Sequence, residues 1–232
     1  MRHQNRTLQN RLILACMGML TIMILLVGLS TGIAQYYLIW NIFLAYIPYG
    51  LAQLIVRENW KGWKSRLTFF VWLIFYPNAF YVITDLIHLQ NDVYYYFQAN
   101  ERVTYVTSSF IWGRFLTLLF AVLISTNLSY HALYMVYWKT FRHNYSIKTA
   151  LFFSSMVSLL TGVGIVLGRF FRLNTWDIFA RPHIILEKLA LLIDPNYIKL
   201  ILLFTISHFM LIFFMYIIRE RDTNSLAHQR FL

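Results

Sequence analysis

Charge is what this sequence has least of. Only 12% of its 232 residues are charged, and nine residues are acidic, whereas a soluble domain carries about 25% charged residues. That scarcity excludes an ordinary water-facing globular surface. Twenty lysines and arginines raise the formal net charge to +11. They fall in short clusters between apolar runs and not on one polar face, so the basicity is a topology signal and no nucleic-acid partner is expected. Cysteine is nearly absent. The single Cys16 excludes an internal disulfide, and no Cys/His spacing of a zinc site is present. Cys16 lies too deep in the first apolar run for a lipoprotein anchor and reads as a packing residue. Internal repeats are missing too: Gly113-Arg114-Phe115 and Gly168-Arg169-Phe170 echo each other over three residues only. The Gly162-x-Gly164 pair has no strand before it and no acidic partner after it, which leaves close helix packing as its reading.

What the sequence does have is apolar length. It is 59% hydrophobic and 19% aromatic, with mean hydropathy +0.56. Apolar runs cover residues 12–29, 36–56, 67–83, 110–137, 149–167 and 197–218, each near the 17–25 residues needed to cross a bilayer as a helix. The expectation is one all-α membrane domain over residues 1–232, a polytopic bundle of about six transmembrane helices. The first run follows Arg2, Arg6 and Arg11, and Gly32-Ile33-Ala34 offers a cleavage site. Its length exceeds the 7–15 residues of a signal-peptide core, so a retained helix is expected. Pro48 falls in mid-run. Pro77-Asn78 interrupts the third run, and a long polar loop is expected over Thr84–Thr107, with Tyr94-Tyr95-Tyr96-Phe97 as an interfacial aromatic patch. Ile184–Ile193 reads as a short amphipathic helix on the membrane surface. Asp194-Pro195 reads as the start of the sixth span.

The cations fix an orientation. Arg2, Arg6, Arg11, Arg57, Lys61, Lys64, Arg66, Lys139, Arg142, Lys148, Arg219, Arg221 and Arg230 all fall on the side of the termini. The positive-inside rule places that side in the cytoplasm. On the other face the loop after the fifth span breaks the rule, with Arg169, Arg172, Arg181, Lys188 and Lys199. Cations placed against that rule call for partners.

Two polar islands therefore emerge on the outer face: Pro77–Leu89, and Gly168–Asp177. Arg114, at the outer end of the fourth span, joins them. Asp85 and His88 are three residues apart, as are Arg169 and Arg172, so each pair shares a face if the local structure is helical. Asn174 with Asp177 resembles a capping box beside an interfacial Trp176. Two readings of the arginines stand side by side. They either pair with Asp85 and Asp177 and pin the loops, or hold a phosphate or carboxylate by paired hydrogen bonds. Asp85 and His88 are a structural hydrogen-bonding pair, an acid/base pair, or part of a metal site completed by Asp177 or Asp92. His131 and His208 lie inside spans and are expected to stay neutral and bond a neighbouring helix.

Pro77-Asn78-Ala79-Phe80-Tyr81-Val82-Ile83-Thr84-Asp85-Leu86-Ile87-His88-Leu89, followed by Gly168-Arg169-Phe170-Phe171-Arg172-Leu173-Asn174-Thr175-Trp176-Asp177, resembles the paired signature of a bacterial membrane-protein family, domain of unknown function 1361. Trp40-Asn41-Ile42-Phe43-Leu44-Ala45-Tyr46-Ile47-Pro48 is similar to its opening motif. The resemblance spans roughly Trp40 to Pro182. It implies a multi-pass protein of the bacterial cytoplasmic membrane and carries over no catalytic residue.

Three functions follow as expectations. The first is an enzyme on a lipid-linked or phosphate-bearing substrate, with Asp85, His88 and Asp177 as catalytic candidates. Arg114, Arg169, Arg172, Asn78, Asn174 and Trp176 are its binding candidates, and no residue set is assigned to a metal. The second is a transporter or flippase for a small or lipid-linked anion, lined by the interrupted spans. The third is a non-catalytic subunit whose islands are staples. Membrane lipid is the one partner common to all three.

Overall fold

The computed structural model describes the backbone of residues 2–31, 35–58, 62–99, 101–141 and 146–228, and side chains within 10–29, 35–58, 62–90, 92–99, 101–141 and 146–219. The Gly32-Ile33-Ala34 cleavage signal, Asn59-Trp60-Lys61, Arg142-His143 and Arg230 lie outside the described residues, as do the side chains of Arg2, Arg6 and Arg221.

The chain begins with α1 (Arg2–Thr31), α2 (Tyr36–Arg57), α3 (Trp63–Phe75) and α4 (Pro77–Tyr81). A 3-10 helix (Val82–Asn91) and two short strands, β1 (Tyr95–Phe97) and β2 (Val103–Tyr105), follow. Then come α5 (Ser109–Phe141), α6 (Ile147–Arg169), α7 (Asp177–Ala180), α8 (Pro182–Leu191) and α9 (Pro195–His228). Six stretches are long and apolar enough to cross a membrane: Asn10–Leu29, Tyr36–Arg57, Trp63–Gln90, Ser109–Phe141, Ile147–Arg169 and Pro195–Arg219. The molecule is an all-α polytopic bundle, as its composition requires. Leu26, Phe43, Phe70, Leu203 and Phe214 point outward and are exposed, which is the arrangement of a protein whose solvent is hydrocarbon.

The third span departs from expectation. The sequence reading ends it at Ile83 and assigns Thr84–Thr107 to a loop, yet helix continues to Asn91. Pro77 sits at the first position of α4, where a missing N–H is one of the groups left over at any helix start. Tyr76 keeps helical angles (φ −56°, ψ −40°), and the Ala79 N–H bonds the Tyr76 carbonyl at 3.0 Å. The helix tightens from i−4 to i−3 bonding and does not break. The Phe75 carbonyl accepts from Asn78 Nδ2 at 3.0 Å. Gly164 lets α6 close onto this junction: a Cβ there would lie 2.7 Å from both Cβ and Cγ of Pro77. Gly162 serves α9 in the same way, since its added Cβ would meet the Ile201 carbonyl at 2.6 Å. The helix-packing reading of the glycines thus has a geometric basis. The remainder of the expected loop contains a hairpin pairing Tyr95 with Tyr105 and Phe97 with Val103; all four side chains are exposed.

One buried polar node ties the bundle together. His208 of α9 has no exposed surface. Its Nδ1 meets the Ser158 hydroxyl of α6 at 2.8 Å, and its Nε2 meets the Tyr76 hydroxyl at 3.2 Å and the Ser129 hydroxyl of α5 at 3.3 Å. Phe80 packs edge-on against the ring, centroids 4.9 Å apart. Both ring nitrogens are satisfied by protein, which a buried imidazole requires. This is the neighbouring-helix bonding expected of His208. His131 lies beside the Tyr130 ring.

Candidate functional site

Near the end of the bundle that carries the start of α2, the 3-10 helix and the end of α6, three carboxylates are each matched to one arginine. Asp85 is 1% exposed and sits on the 3-10 helix. One of its oxygens accepts from Arg169 Nη2, at the last residue of α6. The other accepts from Asn41 Nδ2 of α2 at 2.7 Å. Arg169 is further fixed by Thr84 Oγ1, at 2.9 Å from Nε, and by the Tyr81 ring, 4.5 Å from its guanidinium carbon. Three helical elements meet on this carboxylate.

Asp177 is also 1% exposed, but its partners are local. The Asn174 backbone N–H donates to Oδ2 at 2.7 Å, and Arg181 donates to Oδ1 from Nη2 at 2.7 Å and from Nε at 3.1 Å. The Asn174 N–H bond, then the Arg181 bonds, hold this carboxyl below its usual range. The expected capping box is present in half, with the aspartate reaching back to the Asn174 N–H. Arg114 stands apart from the two islands and bridges to Asp92 at 3.0 Å.

His88 does not bond Asp85; its half-buried ring packs on Tyr37, centroids 5.1 Å apart. Among the described residues no group of three or more His, Cys, Asp or Glu side chains could hold a metal ion. The structure therefore joins Asp85 to Arg169, joins Asn78 to the second island through Thr175 Oγ1 at 2.9 Å, and leaves His88 and Arg114 with other partners.

Arg172 differs from Arg114, Arg169 and Arg181, each of which is paired with a carboxylate. It is exposed and has no hydrogen bond or ion pair among the described residues. Its backbone is left-handed (φ 56°), a conformation that costs an L-residue about 1–2 kcal/mol. The turn it makes brings the Leu173 N–H back to the Leu167 carbonyl at 3.1 Å. Glycine commonly fills such a helix-ending position. Here the side chain is kept, and it lines a cavity of 440 Å³. Arg169, Asn41, Asn78, Trp40 and Trp176 share the polar and aromatic lining, while Leu44, Ile74, Leu167 and Ile185 supply apolar wall. The indoles of Trp40 and Trp176 stand edge to face with centroids 6.2 Å apart.

Sequence reasoning missed Asn41, Thr84 and Tyr81. The signal for Asn41 was available, since an amide inside an apolar run needs a partner. Nothing in the sequence distinguished Arg172 from Arg169.

Six apolar helices with a polar cavity at one end define an integral membrane protein. The chain belongs to the family described as "Protein of unknown function (DUF1361)", whose model matches residues 40–212. No curated protein and no solved structure matches it.

Proposed function

We propose that this protein binds and acts on a lipid-linked or phosphate-bearing substrate at the extracytoplasmic face of a bacterial cytoplasmic membrane. The observation that carries the reading is Arg172: an exposed guanidinium with no hydrogen-bond or ion-pair partner among the described residues, held in a costly backbone conformation on the wall of a 440 Å³ cavity. An unpaired guanidinium beside a second, fixed one favours an oxyanion with several acceptor oxygens. Arg172 is the anion-binding group. Arg169 offers its remaining Nη1, and Asp85 with Thr84 is a positioning pair that keeps it aimed. Asp177 shapes the turn by anchoring the Asn174 backbone and Arg181.

The lining residues come from the early part of α2, the α3–α4 junction, the end of α6 and the stretch up to α8. A cavity confined to one end favours headgroup binding over a path across the bundle. The apolar wall beside the arginines suits an amphiphile. The exposed Leu186 and Ile193 in and after α8 fit an element lying in the headgroup layer. The positive-inside count supports cytoplasmic termini and an outward-facing cavity.

Farnesyl phosphate titrated onto the protein in phosphatidylcholine nanodiscs, followed by native mass spectrometry, tests this. Binding that falls about tenfold or more in Arg172→Gln, the scale of losing one charge-assisted hydrogen bond, is the expected result. Equal binding by the variant, or none by the wild type, rejects the reading.

A further inference from the structure

The cavity wall carries hydrogen-bonding atoms that an anion alone leaves unused. Asn41 must present Nδ2 to the Asp85 carboxylate, because only the NH₂ side of an amide donates. Asn78 must present Nδ2 to the Phe75 carbonyl for the same reason. Neither amide is free to flip, so both fixed Oδ1 atoms are acceptors without a protein donor among the described residues. The indole N–H groups of Trp40 and Trp176 are donors without a described acceptor.

Each simple ligand fails against this set. Phosphate oxygens satisfy Arg172 and the indoles but only accept, so they have nothing to offer the two amide oxygens. An acyl chain satisfies no polar atom, and each polar group it buried would lose its water without a replacement bond. A quaternary ammonium head suits aromatic faces but carries no N–H or O–H donor and would be repelled by Arg172. A ring bearing several hydroxyls meets the whole set. Each hydroxyl both donates and accepts, and the C–H face of the ring is flat enough to lie against an indole. The volume of 440 Å³ falls within the about 300–1,000 Å³ of small-molecule sites, which suits a headgroup with its phosphate and leaves a long tail outside.

The geometry points to a glycosyl phosphate carried on a lipid as the ligand. Its phosphate sits at Arg172, and its sugar ring lies against the contacting Trp40–Trp176 indole pair with hydroxyls donating to Oδ1 of Asn41 and Asn78. This inference rests on the anion-site reading above and names the substrate class for that site.

The test compares farnesyl phosphate with its glucosyl, mannosyl and N-acetylglucosaminyl derivatives, and with glucose 1-phosphate, on the full chain in phosphatidylcholine nanodiscs. At least one glycosylated lipid is expected to bind about tenfold tighter than farnesyl phosphate, the scale of one or two net hydrogen bonds. In Trp176→Leu and Asn78→Leu the ratio of glycosylated-lipid to farnesyl phosphate affinity should fall to about one. Asn78 also supports the α3–α4 junction, so Trp40→Phe and Trp176→Phe, both at exposed positions, provide fold-neutral variants that lose the indole N–H and should lower the gain in part. Equal affinity for all the lipids overturns the sugar inference and leaves the anion reading standing. No binding of any lipid removes both. Glucose 1-phosphate matching the best lipid keeps the sugar phosphate and removes the lipid link.

Discussion

His208 and Arg172 are both cations or potential cations in a chain that can support few of them, and the structure treats them oppositely. His208 is fully buried, and each ring nitrogen meets a hydroxyl from another part of the bundle. Arg172 has no hydrogen-bond or ion-pair partner among the described residues and lines a cavity. A polar group whose bonding capacity is filled by its own protein is a staple. One whose capacity is left open, in a conformation that costs free energy, is held for something else. The same division separates the two aspartates from the arginine beside them. Both oxygens of Asp85 and of Asp177 accept from protein donors, an arrangement that organises structure.

The comparison breaks most readily at Asp85. Asp85→Ala would strand Arg169 and Asn41, and removing one partner of a buried pair costs about 3–5 kcal/mol. The thermal unfolding temperature in nanodiscs should fall sharply and yield should drop. An Asp85→Ala protein as stable as wild type would show that the carboxylate is no staple. His208→Ala comes next. It leaves the Ser129, Ser158 and Tyr76 hydroxyls short of a partner and opens a cavity, at about 2–4 kcal/mol, with ligand binding at Arg172 retained once the protein is folded. Loss of binding by folded His208→Ala would tie the two regions together and end the contrast.

The number and approximate limits of the spans were legible because hydrophobic length is a local property. The capping contact of Asp177 was legible for the same reason, since Asn174 is three residues away. The continuation of helix past Thr84 was not. Pro77 followed by Asn78 reads as a break, and only the fold shows that Asn78 takes up the Phe75 carbonyl while Gly164 admits the ring. The pairing of Asp85 with Arg169 was named as one of two alternatives. The separation of Arg172 from Arg169 was hidden, because it turns on one left-handed residue whose φ no side-chain pattern announces.

Smaller effects sharpen the picture. Gly164→Ala places a Cβ 2.7 Å from Pro77, and relieving such overpacking costs about 1–3 kcal/mol. A lowered unfolding temperature is expected, with the cavity widened at Asn78 and ligand affinity reduced. An unchanged melting curve would mean that α6 and the Pro77 junction are not held in close contact. Asp177 gives a pH signature. Its folded carboxyl titrates below the ordinary value because of the Asn174 N–H and Arg181. Its stabilisation is therefore complete above the unfolded value of about 3.9 and disappears as pH falls through the lower folded value. Asp177→Asn should flatten this acid limb while Arg181 loses its partner; an acid limb unchanged in the variant would assign the loss to other groups.

The smallest expected change in stability is the most informative. At Arg172 the side chain makes no hydrogen bond or ion pair among the described residues, and φ is 56°. Glycine adopts that conformation without the L-residue's penalty, at an entropic cost of about 0.5–1 kcal/mol. Arg172→Gly should therefore leave stability within about 1 kcal/mol of wild type, on the stabilising side, while phosphate-bearing ligands bind about tenfold or more weakly. A folded, undiminished protein that no longer holds the anion would establish that Arg172 is kept against a backbone preference for the sake of the ligand. A variant destabilised by 2 kcal/mol or more on the scale of lost interactions would place Arg172 among the staples with His208, and the distinction between the two regions would be gone.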